Sequence, residues 1–199
     1  MSTAADRLRA RNLRTVLALA ALFLLPVAAS FWLYYGVGWR PAGHTNHGEL
    51  IEPARPLPAA SFPAADGHGV VSNVFSGQWA LVYVGDGACD ASCRRVLYVM
   101  RQTRAALNND MSRVKRVFLV TSGCCDRAYL AGEHPGLTAL DASGAEAQRL
   151  LGRFPDADRA STLFIVDPLG NLMMRYDARR NPRGLLEDMK KLLRLSHIG

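Results

Sequence analysis

Two cysteines four residues apart, Cys89 and Cys93, carry the residue types from which redox or soft-metal chemistry is built. They follow the apolar run Leu81-Val82-Tyr83-Val84 and the glycine pair Gly85 and Gly87. A valine-rich run of that kind suits a strand buried on both faces, and the glycines let the chain turn sharply after it. From Ala91 onward Val96, Leu97, Met100, Ala106 and Leu107 recur at helical spacing, with Arg94, Arg95, Arg101 and Arg104 between them. The spacing predicts a helix from Ala91 to about Asn108, with Cys89 at its first turn and Cys93 one turn later. Residues four apart on a helix have Cβ atoms roughly 5–6 Å apart, so a disulfide needs only a modest local adjustment.

That placement favours thiolate, because the positive end of the helix and the neighbouring Arg94 and Arg95 stabilise negative charge. Asp86 and Asp90 oppose it, so the pair is expected to be moderately acidic. Thiolates attack disulfides and bind soft metals, which makes Cys89 and Cys93 candidates both for catalysis and for metal ligation. An inert staple is the plainer alternative. Gly123-Cys124-Cys125-Asp126 is a second cysteine feature, just past the strand predicted at 115–121. Loops at the carboxyl ends of neighbouring parallel strands open on one edge of a sheet, so all four cysteines are expected at one crevice. Neighbouring cysteines form a strained ring, so Cys124 or Cys125 would cross-pair with Cys89 or Cys93, stay a free resolving thiol, or be packed or exposed without a function. His134 follows in a turn and is a candidate secondary ligand, alongside His68. His44 and His47, three residues apart, read as part of a polar juxtamembrane loop.

The chain that must position these groups has 199 residues, 49% hydrophobic and 21% charged, enough for one core. Its net charge of +7 is partly concentrated in Arg7, Arg9, Arg11 and Arg14. No basic run interleaved with aromatics follows, which argues against a nucleic-acid partner. Residues 1–14 read as a basic cytoplasmic tail and 15–39 as a transmembrane anchor, uncharged and long enough to cross a bilayer. Arginines before the span and Trp32, Tyr34, Tyr35 and Trp39 at its far end match the positive-inside rule and an interfacial aromatic belt. A signal peptide cut before Ser30 is the competing reading. Either way the rest of the chain is expected on the periplasmic side of the inner membrane or its equivalent, where disulfides form. Residues 40–60, with Pro41, Pro53, Pro56 and Pro58, read as a linker, and 61–199 as the folded domain.

Within that domain strands are expected at 70–75, 79–84, 115–121, 162–166 and 172–176. The turn Asp167-Pro168-Leu169-Gly170 joins the last two as an antiparallel hairpin, and helices are expected at 143–151 and from Pro182 onward. The first two cysteine-flanking strands should be parallel neighbours, since a helix crosses between them.

An α/β chain with a β-α-β unit carrying paired cysteines, then a β-hairpin and a closing helix, resembles the thioredoxin fold, a mixed central sheet flanked by helices. The C-x3-C spacing, the anchor and the hairpin turn resemble the Sco/SenC family of cytochrome c oxidase copper-site assembly proteins over about residues 48–195. The resemblance implies that Cys89 and Cys93 bind copper or act as a dithiol reductant, with a respiratory oxidase subunit or another thiol protein as partner. The family's histidine does not carry over: counting back from Asp167 places Arg159 there, and a guanidinium cannot ligate copper. Arg159 would instead favour the thiolate form of the pair. A thiol-disulfide oxidoreductase, a copper carrier and a redox-inactive accessory module of a membrane complex therefore all remain open.

Overall fold

The computed structural model describes residues 4–39, 45–65, 67–123, 125–196 and 198–199. The chain divides into two compact units, Met1–His44 and Thr45–Gly199. In the first, helix α1 (Ala4–Phe31) passes into a π-helical turn, Trp32–Gly36. The stretch Arg9–Gly36 is 28 residues, long and apolar enough to cross a membrane. At a rise of roughly 1.5 Å per residue it exceeds the ~30 Å hydrocarbon layer. Its leucines and aromatics, such as Leu22, Phe23, Leu25 and Trp32, are exposed, as a lipid-facing helix requires and a soluble one does not.

The second unit is built on a six-stranded mixed sheet in the order β1-β8-β7-β4-β5-β6. Its strands are β1 (Glu49–Pro56), β4 (Trp79–Gly85), β5 (Val114–Val120), β6 (Leu137–Asp141), β7 (Thr162–Val166) and β8 (Asn171–Asp177). The expected parallel pairing of β4 with β5 is present, Tyr83 opposite Phe118, and the β7–β8 hairpin is antiparallel, Ile165 opposite Met174. A separate two-stranded ribbon joins β2 (Ser61–Pro63) to β3 (Val70–Ser72).

The side-chain alternation of the central strands makes two cores. Leu81, Tyr83, Phe118, Leu163 and Ile165 face α2 (Ala91–Ala105) and α5 (Pro182–Leu195), which contribute Val96, Leu97, Met100, Leu185, Met189 and Leu193. Val82, Val84, Val117, Leu119, Phe164 and Val166 face the opposite side, covered by Phe62 of the ribbon and by Ala147, Leu150 and Leu151 of α4 (Ala145–Leu151). Both faces being covered explains why β4 reads as a continuous apolar run.

Several elements differ from expectation; the strand expected at 70–75 stops at Ser72, where it pairs with β2, which was not expected. Residues 49–56 are not linker but the edge strand β1, with Leu50 opposite Met174 and Arg55 opposite Leu172. Pro53 and Pro56 are tolerated there because an edge strand needs ladder bonds on one side only. The strand β6 was not anticipated, since only Leu140 of its five residues is fully buried. Helix α3 (Arg127–Glu133) was missed because its seven residues bury none and its start depends on the Asp126 side chain, which accepts from Tyr129 N. The helix after the first cysteines ends at Ala105, and a 3₁₀ turn, Asn108–Arg113, completes the crossover.

Candidate functional site

Strand β4 delivers the chain to its carboxyl edge at Gly85, and the loop Asp86–Asp90 turns it into α2. Asp90 is the N-cap: its Oδ1 accepts from Cys93 N at 2.9 Å, closing the first helical turn. Cys93 is thus fixed inside that turn while Cys89 lies just before it. Cys89 adopts a left-handed backbone, φ +44°, a conformation that costs a non-glycine residue roughly 1 kcal/mol or more. With the backbone so turned, the two sulfurs meet as a disulfide, Cα–Cα 5.0 Å.

The loop is held by its neighbour after β5. Gly87 N donates to Ser122 O at 3.0 Å, Thr121 N donates to Gly85 O at 2.9 Å, and the Ser122 hydroxyl donates to Asp86. Together with the Ala88 N–H, that hydroxyl keeps the Asp86 carboxyl below its usual range. A Cβ on Gly87 would lie 2.0 Å from the Gly123 carbonyl oxygen, so only glycine fits this approach.

Cys89 and Cys93 are 4% and 2% exposed, so the disulfide is reached from a crevice rather than displayed on the surface. The crevice, about 520 Å³, is lined by both cysteines, Asp86, Asp90, Tyr83, Thr121, Gln148 and Arg159, among others. Tyr83 lies against Gly85 and donates to Ala160 O at 3.3 Å. Burial first, then the charges of Asp90 and Asp86, push its hydroxyl up to about 12, so it stays neutral. Sequence reasoning passed over Tyr83, Gln148 and the capping role of Asp90. The Asp at the helix entrance was the signal for the last of these.

The arginines expected to favour thiolate are committed elsewhere. Arg94 donates from Nε to the Cys89 carbonyl at 3.4 Å, lies 4.3 Å over the Tyr129 ring and faces Asp126 at 3.8 Å. Arg95 donates to Ala178 O. Arg159 reaches the crevice wall, but its guanidinium donates to the carbonyls of Pro155, Leu151 and Phe154 and pairs with Asp156 at 2.6 Å. It therefore fastens the segment after α4 and lends the crevice positive charge without a hydrogen bond to sulfur in this structure.

Cys125 does not join the first pair. Cys125 is disulfide-bonded, its partner is neither Cys89 nor Cys93, and it packs half-buried at the edge of the α2 core. It does not line the crevice. Cys124 lies outside the described residues, as does His44. His134 is buried and hydrogen-bonded through Nε2 to the Tyr129 hydroxyl at 3.0 Å, away from the crevice wall. His68 is exposed in the turn of the ribbon, and His47 pairs with Glu187 on α5. Among the described residues no three His, Cys, Asp or Glu side chains converge as a ready metal site.

Comparison with known proteins gives the fold independently. Solved structures that match include apo Sco1 from Thermus thermophilus (19% identity, TM-score 0.61, 76% of this chain and 99% of that one). Yeast Sco1 with copper bound matches at 14% identity and TM-score 0.62, over 72% and 95% of the two chains. ScoI of Bradyrhizobium japonicum with copper bound matches at 17% and 0.55, over 68% and 98%. At these identities the likeness establishes the thioredoxin-like architecture that Sco proteins share. No curated protein sequence matches the chain. Residues 79–196, more than half of the sequence and all of the cysteine-bearing core, match the model of a named domain family. The chain belongs to the transmembrane-like, thioredoxin-like C-terminal domain family.

Proposed function

We propose that this protein is a membrane-anchored thiol-disulfide exchange protein, its thioredoxin-like domain outside the cytoplasm, that serves the maturation of a respiratory cytochrome oxidase. The observation that carries the reading is the Cys89–Cys93 disulfide at the head of α2, opening on a crevice large enough for a substrate segment. The basic residues before the apolar span support the orientation. The assembly role rests on likeness to Sco folds, one of which is described as a disulfide switch in a cytochrome c oxidase assembly protein.

In the reduced protein the Cys89 thiolate attacks one sulfur of a target disulfide, and the other target sulfur leaves as a thiolate that takes up a proton. Cys93, deprotonated, then attacks the Cys89 sulfur of the mixed disulfide. The target's second thiol is released, the Cys89–Cys93 bond closes, and two electrons have passed to the target. Asp90 holds Cys93 in place for the second step through its backbone N–H.

Copper would be cargo for such a domain, and the donor set fits it poorly. The sulfurs are bonded to each other, and Arg159, which the count back from Asp167 sets where the resemblance implies a histidine, lines the crevice with a positive charge that repels a cation. After reduction two thiolates offer Cu(I) a linear site and Cu(II) an incomplete one. The test uses the full chain in detergent. Equilibration in thiol redox buffers followed by alkylation of free thiols should show the pair cycling with a defined potential. Cys93→Ser should trap a target as a mixed disulfide on Cys89, and Cys89→Ser should abolish transfer. Tight stoichiometric Cu(I) binding to the reduced chain, lost in Cys89→Ser, with no disulfide turnover would return the copper-carrier reading. A pair inert to both would leave an accessory module.

A further inference from the structure

Beneath the end of α2 far from the disulfide, the structure buries a positive charge that no carboxylate among the described residues is seen to pair with. Arg116 sits in the middle of β5, between Leu81 of β4 and Leu137 of β6, and its side chain shares the face of Val114 and Phe118 beneath α2. It is 3% exposed. Its Nη2 donates to Pro135 O, while Nε and Nη1 are buried without a partner. Beside it, His134 is also 3% exposed, its Nε2 engaged with Tyr129 and its Nδ1 buried without a partner. Arg101 and Arg104 of α2 add their fields to Arg116, and Arg101 adds its field to His134. The carboxylate whose field reaches His134 is Glu133, which is exposed and already paired with Arg101 at 3.3 Å.

A buried guanidinium with two nitrogens idle is destabilising unless an acceptor and a negative charge meet it. A water molecule supplies acceptors but no charge. A protein carboxylate would have to thread a segment of chain to groups that are almost wholly enclosed. A small ion needs no such path. We infer that Arg116 and His134 form a binding site for a small inorganic anion of halide size, beneath the second half of α2. The ion accepts from Nε and Nη1 of Arg116 and from Nδ1 of His134 in the tautomer whose Nε2 accepts from Tyr129. It also offsets the three arginines. Burial and the adjacent arginines already drive His134 down to about 4, as expected of a pocket prepared for negative rather than further positive charge. The site ties α2, β5 and the α3–β6 turn together, and it is independent of the cysteine chemistry.

The experiment follows thermal unfolding of the detergent-solubilised full chain in sodium chloride or bromide against sodium gluconate at equal ionic strength. Halide should raise the unfolding midpoint saturably, by roughly 2–4 °C once the site is filled, and gluconate, too large to enter, should not. Arg116→Met, which keeps length and removes charge, should abolish the difference between the salts. Equal responses to halide and gluconate, or a halide effect that survives Arg116→Met, would overturn the proposal. On the unaltered chain, a crystal soaked in bromide should show an anomalous peak between Arg116 and His134. An ordered water there at saturating bromide would overturn it even if the variant fails to fold.

Discussion

At the amino end of α2 the polar groups are spent inside the fold. Asp90 takes the Cys93 N–H, Ser122 and Ala88 satisfy Asp86, and three carbonyls and Asp156 absorb Arg159. Among the described residues, no buried side-chain nitrogen or oxygen on the crevice wall lacks a partner. Beneath the other half of the same helix, Arg116 and His134 keep three buried nitrogens without one. The first arrangement leaves the covalent sulfur bond as its one unspent reactive group, which suits chemistry on a partner's sulfur. The second leaves unspent donors, which suits an ion. One helix thus covers the proposed exchange site and the proposed ion site, which need not communicate.

The tightness of the cysteine end gives the largest expected effect. Gly87→Ala drives a methyl group into the Gly123 carbonyl, backbone against backbone, and should cost about 3 kcal/mol of stability. The corresponding change in α3, Gly132→Ala, meets no atom within 4 Å. Removing a glycine from the last turn of that helix should be neutral or stabilising by up to about 1 kcal/mol. Urea midpoints of the two variants measure the contrast directly. A Gly87→Ala protein as stable as the parent would mean that the β4 and β5 loops are not locked together.

The second effect belongs to the far side and depends on pH. His134 titrates at about 4 when folded and near 6.5 when unfolded, because burial, Arg101 and Arg116 oppose its charge and Glu133 only partly offsets them. Between those values the unfolded chain binds a proton that the folded chain refuses, so stability rises with pH across the window and is lost as pH falls from about 6.5 towards 4. The contribution is of the order of 2–3 kcal/mol. Unfolding free energies between pH 4.5 and 7.5 in gluconate should show this slope, and His134→Gln should flatten it. Chloride should shallow the slope in the parent chain, since a bound anion raises the pKa of His134. A slope unchanged in His134→Gln would assign the acid sensitivity elsewhere.

The contrast also explains what the sequence could show. The crevice side was legible because its elements are long and regular. Valines 82 and 84 mark a buried strand, the glycines mark the turn, and leucines and methionines on one face mark α2 and α5. The Cys89–Cys93 spacing placed both sulfurs at one helix head, and the hairpin followed from Asp167-Pro168-Leu169-Gly170. The edges were not legible. Two prolines made β1 look like tether, and β6 and α3 are too short for periodicity to register. Arg116 was invisible for a different reason. A charge flanked by Lys115 and Val117 reads as the exposed start of a strand, and only the crossing of α2 above it buries the guanidinium. The side chains around the crevice were legible by type but not by commitment. Arg94, Arg95 and Arg159 were in the right neighbourhood, yet carbonyls, a tyrosine ring and carboxylates had already claimed them.

The smallest effect separates two roles of Asp90. Its carboxylate caps α2, and its charge reaches the crevice, where it is one of the causes that raise Tyr83. Asp90→Asn keeps an acceptor for the Cys93 N–H and removes the charge, whereas Asp90→Ala removes both. The alanine variant should lose about 1 kcal/mol of stability and the asparagine variant little. In the reduced protein a negative charge beside the sulfurs disfavours thiolate. Neutralising it stabilises the reduced form and raises the reduction potential, by on the order of 10–20 mV, equivalent to less than 1 kcal/mol for a two-electron couple. The same substitution should lower the Tyr83 titration only modestly, since burial is the larger cause of its shift. A potential that moves in Asp90→Ala but not in Asp90→Asn would make Asp90 a cap alone. A potential that moves equally in both would mean that its charge, felt at the crevice, sets the poise of the pair.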